Sequence, residues 1–600
     1  MHFYRLTLIP LALACSLFAA EAPPDGAALY GSRCGTCHDN STSDRMPKRA
    51  EIASRTPEAV FNAMFSGAML IQASGLSQDE GRAIARYLTG KDFTLGSAPL
   101  SGMCTTPARA FSLAAGDWNG WGVDTDNSRY QPKPGLAAAD IPKLKLKWAF
   151  GFPGDRVAYS QPAVAGGRLF VGSAGGSVYS LDAGTGCTYW AYKAGSSVRT
   201  GIVIAKAKTG GRYIAYFGDL SANIHAVDAE TGALIWKMKM DTHPAARITG
   251  SPVFYGGRLY VPVASLEEGS AARQQYECCT FRGSLMALDA ETGKTIWKTY
   301  AFPEEPKPYR KSKVDTQLYG PAGAAIWSAP TVDPKRKLVY ASTGDSYTDV
   351  DVDTDDAIVA FSMDTGKIVW KAQVLEHDNF IVGCPGAPNC PVSNGPDYDF
   401  GTSVILRNLG GGKQVLVAGQ KSGIVWGLDP DQKGKVLWQT KIGAGSALGG
   451  VEWGHAADEQ NTYAAISDKN VRTGATPGIY ALNLKTGEKV WGTPAPQVTC
   501  AVPQGCIPAQ SAAVSVIPGA VFSGAINAHF RAYSTKTGEI LWDYDAAHAF
   551  ETVNRVEAKG GSFDGAGPAI VNGVVYTNSG YGSFGGSAGN VLLAFSVDGK

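Results

Sequence analysis

Short apolar runs that end in Asp or a substitute, followed in most copies by Thr-Gly and then by Trp, recur along most of the chain. The pattern stands at Leu181-Asp182 to Trp190, Val227-Asp228 to Trp236, Leu288-Asp289 to Trp297 and Phe361-Ser362 to Trp370. It continues at Leu428-Asp429 to Trp438, Leu482-Asn483 to Trp491 and Tyr533-Ser534 to Trp542, which makes seven copies. An eighth begins at Phe595-Ser596 and stops at Gly599-Lys600, before any Trp, while Leu144-Lys145-Leu146-Lys147-Trp148 reads as the missing final strand. Short strands with turn residues at a fixed offset predict one small sheet per copy, and such units bury their faces only by stacking on neighbours. An open stack would expose sheet edges, whereas a borrowed N-terminal strand closes the ring. The expected fold is therefore all-β, an eight-bladed β-propeller over residues 116–600. Successive tryptophans are 42 to 73 residues apart, so the variation falls in loops. Each Asp and Thr-Gly is expected to pin an outer turn and each Trp to pack between blades, as scaffold.

Upstream the period changes. Ser77-Gln78-Asp79-Glu80 is a capping box, and Ile84, Tyr87 and Leu88 give the following segment one apolar face, which predicts a helix in a small all-α domain over 23–95. Residues 96–115 read as a linker. At the start, His2 and Arg5 precede a mostly apolar run from Leu6 to Leu17 and the small residues Ala19, Ala20 and Ala22, the pattern of an export signal over 1–22. That run is short for a bilayer span and no later stretch resembles one, so the expectation is a periplasmic protein without a transmembrane segment. A net charge of +1 leaves no basic footprint for nucleic acid. The 73 glycines suit a chain of tight turns.

Cys34-Gly35-Thr36-Cys37-His38 is a CxxCH motif: two thiols add to the vinyl groups of a haem and the next His lies under the iron. A haem c held by Cys34, Cys37 and His38 is expected, and no His follows until His225, so the sixth ligand must be a Met. Met46, Met64 and Met69 are the candidates; Met69, a short loop before the closing helix, matches the distal Met of the small cytochromes c that this segment resembles. Of the 11 cysteines, Cys15 falls in the signal. Three of the remaining couples are close in sequence, Cys278-Cys279, Cys384/Cys390 and Cys500/Cys506, which leaves Cys104 and Cys187. An even count in an exported chain favours disulfides, although spacing alone leaves the connectivity open.

The Asp–Thr-Gly–Trp repeat, together with Asp117-Trp118, Asp124 and Ser128-Arg129-Tyr130, resembles the quinoprotein alcohol dehydrogenases that use pyrroloquinoline quinone (PQQ) with Ca2+. The resemblance covers about 116–600. Its relatives usually carry the haem at the C-terminus; the N-terminal CxxCH, with Cys278-Cys279 before Phe281-Arg282-Gly283, is similar to the members that act on polymeric secondary alcohols. PQQ, a flat anionic quinone, needs a planar sandwich, cations and a Lewis acid at its carbonyl. The resemblance assigns Trp327 as the stacking floor, Cys278 and Cys279 as the cover of the opposite face, and Thr249, Ser265, Arg199 and Trp453 as further cofactor contacts. It places Asp345 and Asp397 on the calcium with Glu268, which lies three residues after Ser265; counting back from Arg282-Gly283 points to Glu277 instead. Asp397 takes the catalytic-base position, with Asp399 as the alternative. Pro396 stands where relatives have Trp, and Lys421 where many have Arg. Glu452 belongs to the Trp453 segment, and His455 reads as structural.

The implied reaction is oxidation of an alcohol, polymeric or small, to a carbonyl compound. Electrons would pass through the haem to a soluble cytochrome c or another external acceptor. The alternative of another class is a non-catalytic propeller scaffold, which would need neither a CxxCH nor the Asp397, Lys421 and Trp327 set.

Overall fold

The computed structural model describes residues 24–41, 46–65, 69, 72–73, 76, 78–93, 101–500 and 505–600. The expected signal, Cys15 included, and the capping Ser77 lie outside the described residues.

The N-terminal part is helical. Gly26–Tyr30, Gly31–Gly35 and Thr36–His38 form one run, followed by Arg49–Ala53, Pro57–Phe65 and Gln78–Thr89. Asp25 starts the first helix by accepting the free N–H groups of Ala27 and Ala28 at 2.9 and 3.2 Å. Tyr30, Ile52, Val60, Phe61, Met64, Ile84 and Leu88 make its core, with Cys34 and Met69 packed on the margin.

The rest is a ring of eight antiparallel sheets in chain order, the third carrying the extra strand Ala246–Arg247. The last sheet is composite: Leu144–Gly151 pairs with Val591–Val597 from Leu144 opposite Val597 to Gly151 opposite Val591, so the borrowed strand closes the ring. The repeat residues do what their spacing predicts. Asp182 Oδ1 accepts from the N–H groups of Gly184 and Thr185 and from the Thr185 hydroxyl. Trp190 Nε1 then donates to the Ala229 carbonyl of the next blade at 3.1 Å. Six more tryptophans repeat that bond, Trp148, Trp236, Trp297, Trp438, Trp491 and Trp542, each to the blade that follows. The glycine of the motif therefore has a second reason. Gly232 has φ +75°, and a Cβ there would lie 2.8 Å from the Trp190 ring, so turn and spoke are one device.

Part of the expected linker is fastened to the ring. Cys104 is bonded to Cys187, the Cys104 N–H donates to the Thr188 carbonyl and the Thr188 N–H to the Gly102 carbonyl, and Phe111 is buried against Phe170 and Tyr213. The other described pairs are Cys278–Cys279, Cys384–Cys390 and Cys500–Cys506. Arg129, wholly buried, donates to the carbonyls of Val514 and Trp121 and to the side chains of Gln161 and Ser515, which locks residues 118–131 across the start of the ring. Among the described residues no helix is long and apolar enough to cross a membrane.

Gly232→Ala tests the stitch. The methyl group meets both the left-handed backbone and the Trp190 ring, for a loss of about 2–4 kcal/mol. Thermal inactivation should be markedly faster than for Gly210→Ala, a positive-φ glycine with open space round it.

Candidate active site

Three connections, two within blades and one between them, bring acids and a lysine together. The turn after Leu338–Ser342 brings Asp345, the loop after Ile368–Gln373 brings Asp397 and Asp399, and the turn after Lys413–Gly419 brings Lys421. Lys421 Nζ donates to Asp397 Oδ1 at 2.7 Å and to Asp399 Oδ2 at 3.1 Å. Asp345, Asp397 and Asp399 each have a carboxylate oxygen within 4.8 Å of the other two. Asp397 sits at φ +61°, and its direction is set by Asp378, which accepts the N–H groups of Asp397 and Tyr398 at 2.9 and 2.6 Å. Asp399 accepts the Asp345 N–H at 2.7 Å, while Asp345 Oδ2 is buried with no hydrogen-bond partner.

The electrostatics follow from crowding acids in a dry place. Burial raises Asp397 well above the usual carboxylate range; Lys421 opposes this, and Asp399 and Glu268 add to it. Asp345 is raised in the same way, by burial and then by Asp399 and Asp397. Burial also lifts Glu268 to about 7 and Glu452 to about 8, against the pull of Lys421. Lys421 itself stays charged, because Asp397 and Asp399 outweigh the desolvation that works against it. Glu268, at the start of the short helix Glu267–Ala271, thus faces this cluster, whereas Glu277 is exposed and accepts from the Tyr319 hydroxyl at 3.4 Å.

Beside the acids lies a flat surface. Lys421 Nζ is 5.5 Å from the Trp327 ring, and Trp453 meets that ring edge-on at 5.4 Å. A Cβ on Gly401 would be 2.3 Å from Trp327, so glycine is what lets this indole lie against the loop. Arg199 stacks 4.4 Å over Trp453. Trp327, Trp453, Gly401 and Arg199, with Thr249, Tyr159, Tyr581 and Trp121, line one cavity. Arg247 is lowered to about 10 by burial and by the neighbouring Arg199 charge. Arg199 forms no ion pair among the described residues. Cys278 and Cys279 are buried in the apolar cluster against which Trp327 packs. The same cluster holds Tyr347, whose hydroxyl is 3.4 Å from Ser265 Oγ.

In the helical domain, Cys34 and Cys37 are the two thiols outside disulfides among the described residues. His38 Nδ1 bonds the Pro47 carbonyl at 2.8 Å, which leaves Nε2 for a metal. Met64 is buried in the core and Met46 is more than a third exposed, while Met69 and Cys34 each pack on the margin of that core.

The structure thus brings together Asp345, Asp397, Asp399, Lys421 and Glu268, and beside them Trp327, Trp453, Arg199 and Thr249. His455 is held to about 4 by burial, and its Nε2 bonds the Val417 carbonyl, as a structural residue. Asp378, Arg247, Tyr347, Tyr159, Tyr581 and Trp121 escaped the sequence reading. None has a local signature, except that Trp121 follows the recognised Asp117-Trp118 pair.

Residues 118–392 match the family of the glucose/ethanol/alcohol dehydrogenase β-propeller domain, and 420–554 and 475–600 match that of the outer membrane protein assembly factor BamB. The chain is 46% identical over 605 residues to a polyvinylalcohol dehydrogenase of Pseudomonas sp., covering 96% of this chain and 94% of that one. It is 43% identical to another from Sphingopyxis sp. (strain 113P3), over 96% and 93% of the two chains. Among solved structures, the quinohemoprotein alcohol dehydrogenase of Comamonas testosteroni shares the fold, with TM-score 0.59 and 19% identity over 81% of this chain and 82% of that one. The chain belongs to the polyvinylalcohol dehydrogenase family of PQQ-type β-propeller alcohol dehydrogenases.

Proposed function

We propose that this protein, exported to the periplasm, oxidises secondary alcohol groups of polyvinyl alcohol to ketones with PQQ and Ca2+, and passes the electrons through a covalent haem c to an external cytochrome-type acceptor. The observation that carries the reading is Lys421, bonded to two of three clustered carboxylates beside the face of Trp327. A scaffold has no use for four acids kept out of water with one compensating lysine, since burying charge is costly unless a ligand repays it.

The residues fit both groups. Arg199 and Arg247 offer positive charge at a slot floored by Trp327, which suits a flat anion. Glu268, Asp345, Asp397 and Asp399 are all hard oxygen donors, and the bare Asp345 Oδ2 still needs a partner, which suits Ca2+. Bound there, the quinone supplies the two-electron acceptor and the cation its Lewis acid. Asp397, oriented by Asp378, takes the alcohol hydroxyl proton. Lys421 donates a charged hydrogen bond toward the cofactor and holds Asp397 in reach. Trp327 and the Cys278–Cys279 pair exclude water from the two faces. Cys34, Cys37, His38 and Met69 would hold the haem.

Asp397→Asn should lower kcat/KM by about 10²–10⁴-fold while the protein still retains PQQ through gel filtration; undiminished turnover would reject the base. Turnover on polyvinyl alcohol should exceed that on ethanol and 2-propanol at equal hydroxyl concentration. The reverse order would favour the small-alcohol reading.

The raised acids make the cation-free protein pH-sensitive. A carboxyl whose folded pKa is raised contributes stability that is present below its unfolded pKa and lost as pH rises through the folded value. With Glu268 raised to about 7 and Glu452 to about 8, the unfolding temperature of the cation-free protein should fall from about pH 4.5, the ordinary carboxyl value, to about pH 8 and level off above it. Ca2+ should cancel the part of the fall due to Glu268 and bind more tightly at the alkaline end, because its ligands must be deprotonated. In the helical domain, Met69→Ala should abolish the methionine–iron charge-transfer band of the oxidised haem, whereas Met46→Ala should leave it.

A further inference from the structure

The helix Gln78–Thr89 reaches the propeller through Arg82. Arg82 Nη2 donates to the Gly195 carbonyl at 2.9 Å, across 113 positions of sequence. On its own side the guanidinium is clasped by two rings, 4.8 Å from the centre of Phe61 and 5.1 Å from that of Phe93. On the far side Asp219, wholly buried and bonded to His225 Nε2 at 2.9 Å, supports the cation electrostatically. Lys237 of the same blade feels both Asp219 and Arg82. A cation between two aromatics, a carbonyl and a buried carboxylate is a built contact.

Its position gives it meaning. Gly195 opens the loop that carries Arg199 onto Trp453 four residues later, and Ser197 of the same loop bonds the hydroxyl of Tyr159, another wall of the cavity. A second zone of approach lies across the ring mouth. Arg33, the residue before Cys34, and Glu80 both act electrostatically on Arg273, in the stretch between Glu268 and Cys278–Cys279. The CxxCH-bearing domain therefore touches the loop that brings Arg199 to the cavity and faces the stretch between Glu268 and Cys278.

We infer that the Arg82–Gly195 contact is the latch that seats the haem-bearing domain on the rim of the cofactor cavity, and that it sets how fast electrons cross from the cavity to the haem. This rests on the functional reading above. Conversion of one carbinol to its ketone breaks a C–H and an O–H bond and releases two electrons and two protons. The protons go to solvent, and the haem takes the electrons one at a time for an external one-electron acceptor.

The test uses the holoprotein with Arg82→Met, which keeps the apolar stem between the rings and removes the donor, and with Arg82→Lys. On rapid anaerobic mixing with a secondary alcohol, haem reduction in Arg82→Met should slow about tenfold, the loss expected for one charge-assisted hydrogen bond. Arg82→Lys should recover part of the rate. Reduction of a small diffusible dye that reaches the cavity directly should stay at the wild-type rate, with an unaltered haem spectrum. The radius of gyration from small-angle scattering should rise. Haem reduction at the wild-type rate, an equal fall in dye reduction, or an unchanged scattering profile would each overturn the latch. Wild-type protein that reduces neither dye nor haem would refute the functional reading instead, and the scattering arm would still decide the latch by itself.

Discussion

The pairing of Leu144–Gly151 with Val591–Val597 joins the two ends of the propeller sequence in one sheet. Arg199, Trp327, Asp397, Lys421 and Trp453 come from connections spread round the ring, and they meet because the ring returns on itself. Seven of the blades are stitched to the next by a tryptophan N–H to a carbonyl, and most of these indoles lie on a glycine. Repetition of that contact leaves the inner loops free to differ in length and content without disturbing the frame. Strength sits at the outer rim and chemistry on the axis.

Charge organises the axis. On one flank of Trp327 lie carboxylates with a single lysine; on the other lie Arg199 and Arg247 among tyrosines. Charge kept from water is destabilising unless a partner repays it, and the raised acids beside Lys421 with the bare Asp345 Oδ2 are what support the proposed cation. The Trp327 face between the flanks adds flatness. Asp378, with both oxygens occupied by backbone N–H groups, holds Asp397 in a left-handed conformation that would otherwise relax.

The small domain is joined to this arrangement through the same loops that shape the cavity. The loop that accepts from Arg82 also carries Arg199, and the stretch that faces Arg33 also carries the vicinal cysteines. Movement of the domain would be felt at the cofactor wall, and the fastening of Cys104 to Cys187 keeps the connecting segment along the first blade.

The blade count, the borrowed strand and the CxxCH motif were legible in sequence, because each depends on residues at short or regular spacing, whereas the disulfide connectivity was left open there. A turn needs its Asp and Thr-Gly in place, and haem attachment needs two thiols and a His within five positions. Trp327, Lys421 and Asp397 were reachable because each lies in a local motif shared with relatives. What tertiary structure alone decided is which distant groups share a dry space. Sequence left Glu268 and Glu277 level, and folding put one against Lys421 and the other in solvent. Asp378, Arg247 and Tyr347 carry no local mark, since their roles arise from neighbours brought in by other blades. The seat of the small domain is of the same kind. A hydrogen bond from Arg82 to a backbone carbonyl leaves no trace in residue identity, because every residue has a carbonyl and only packing selects which one is met.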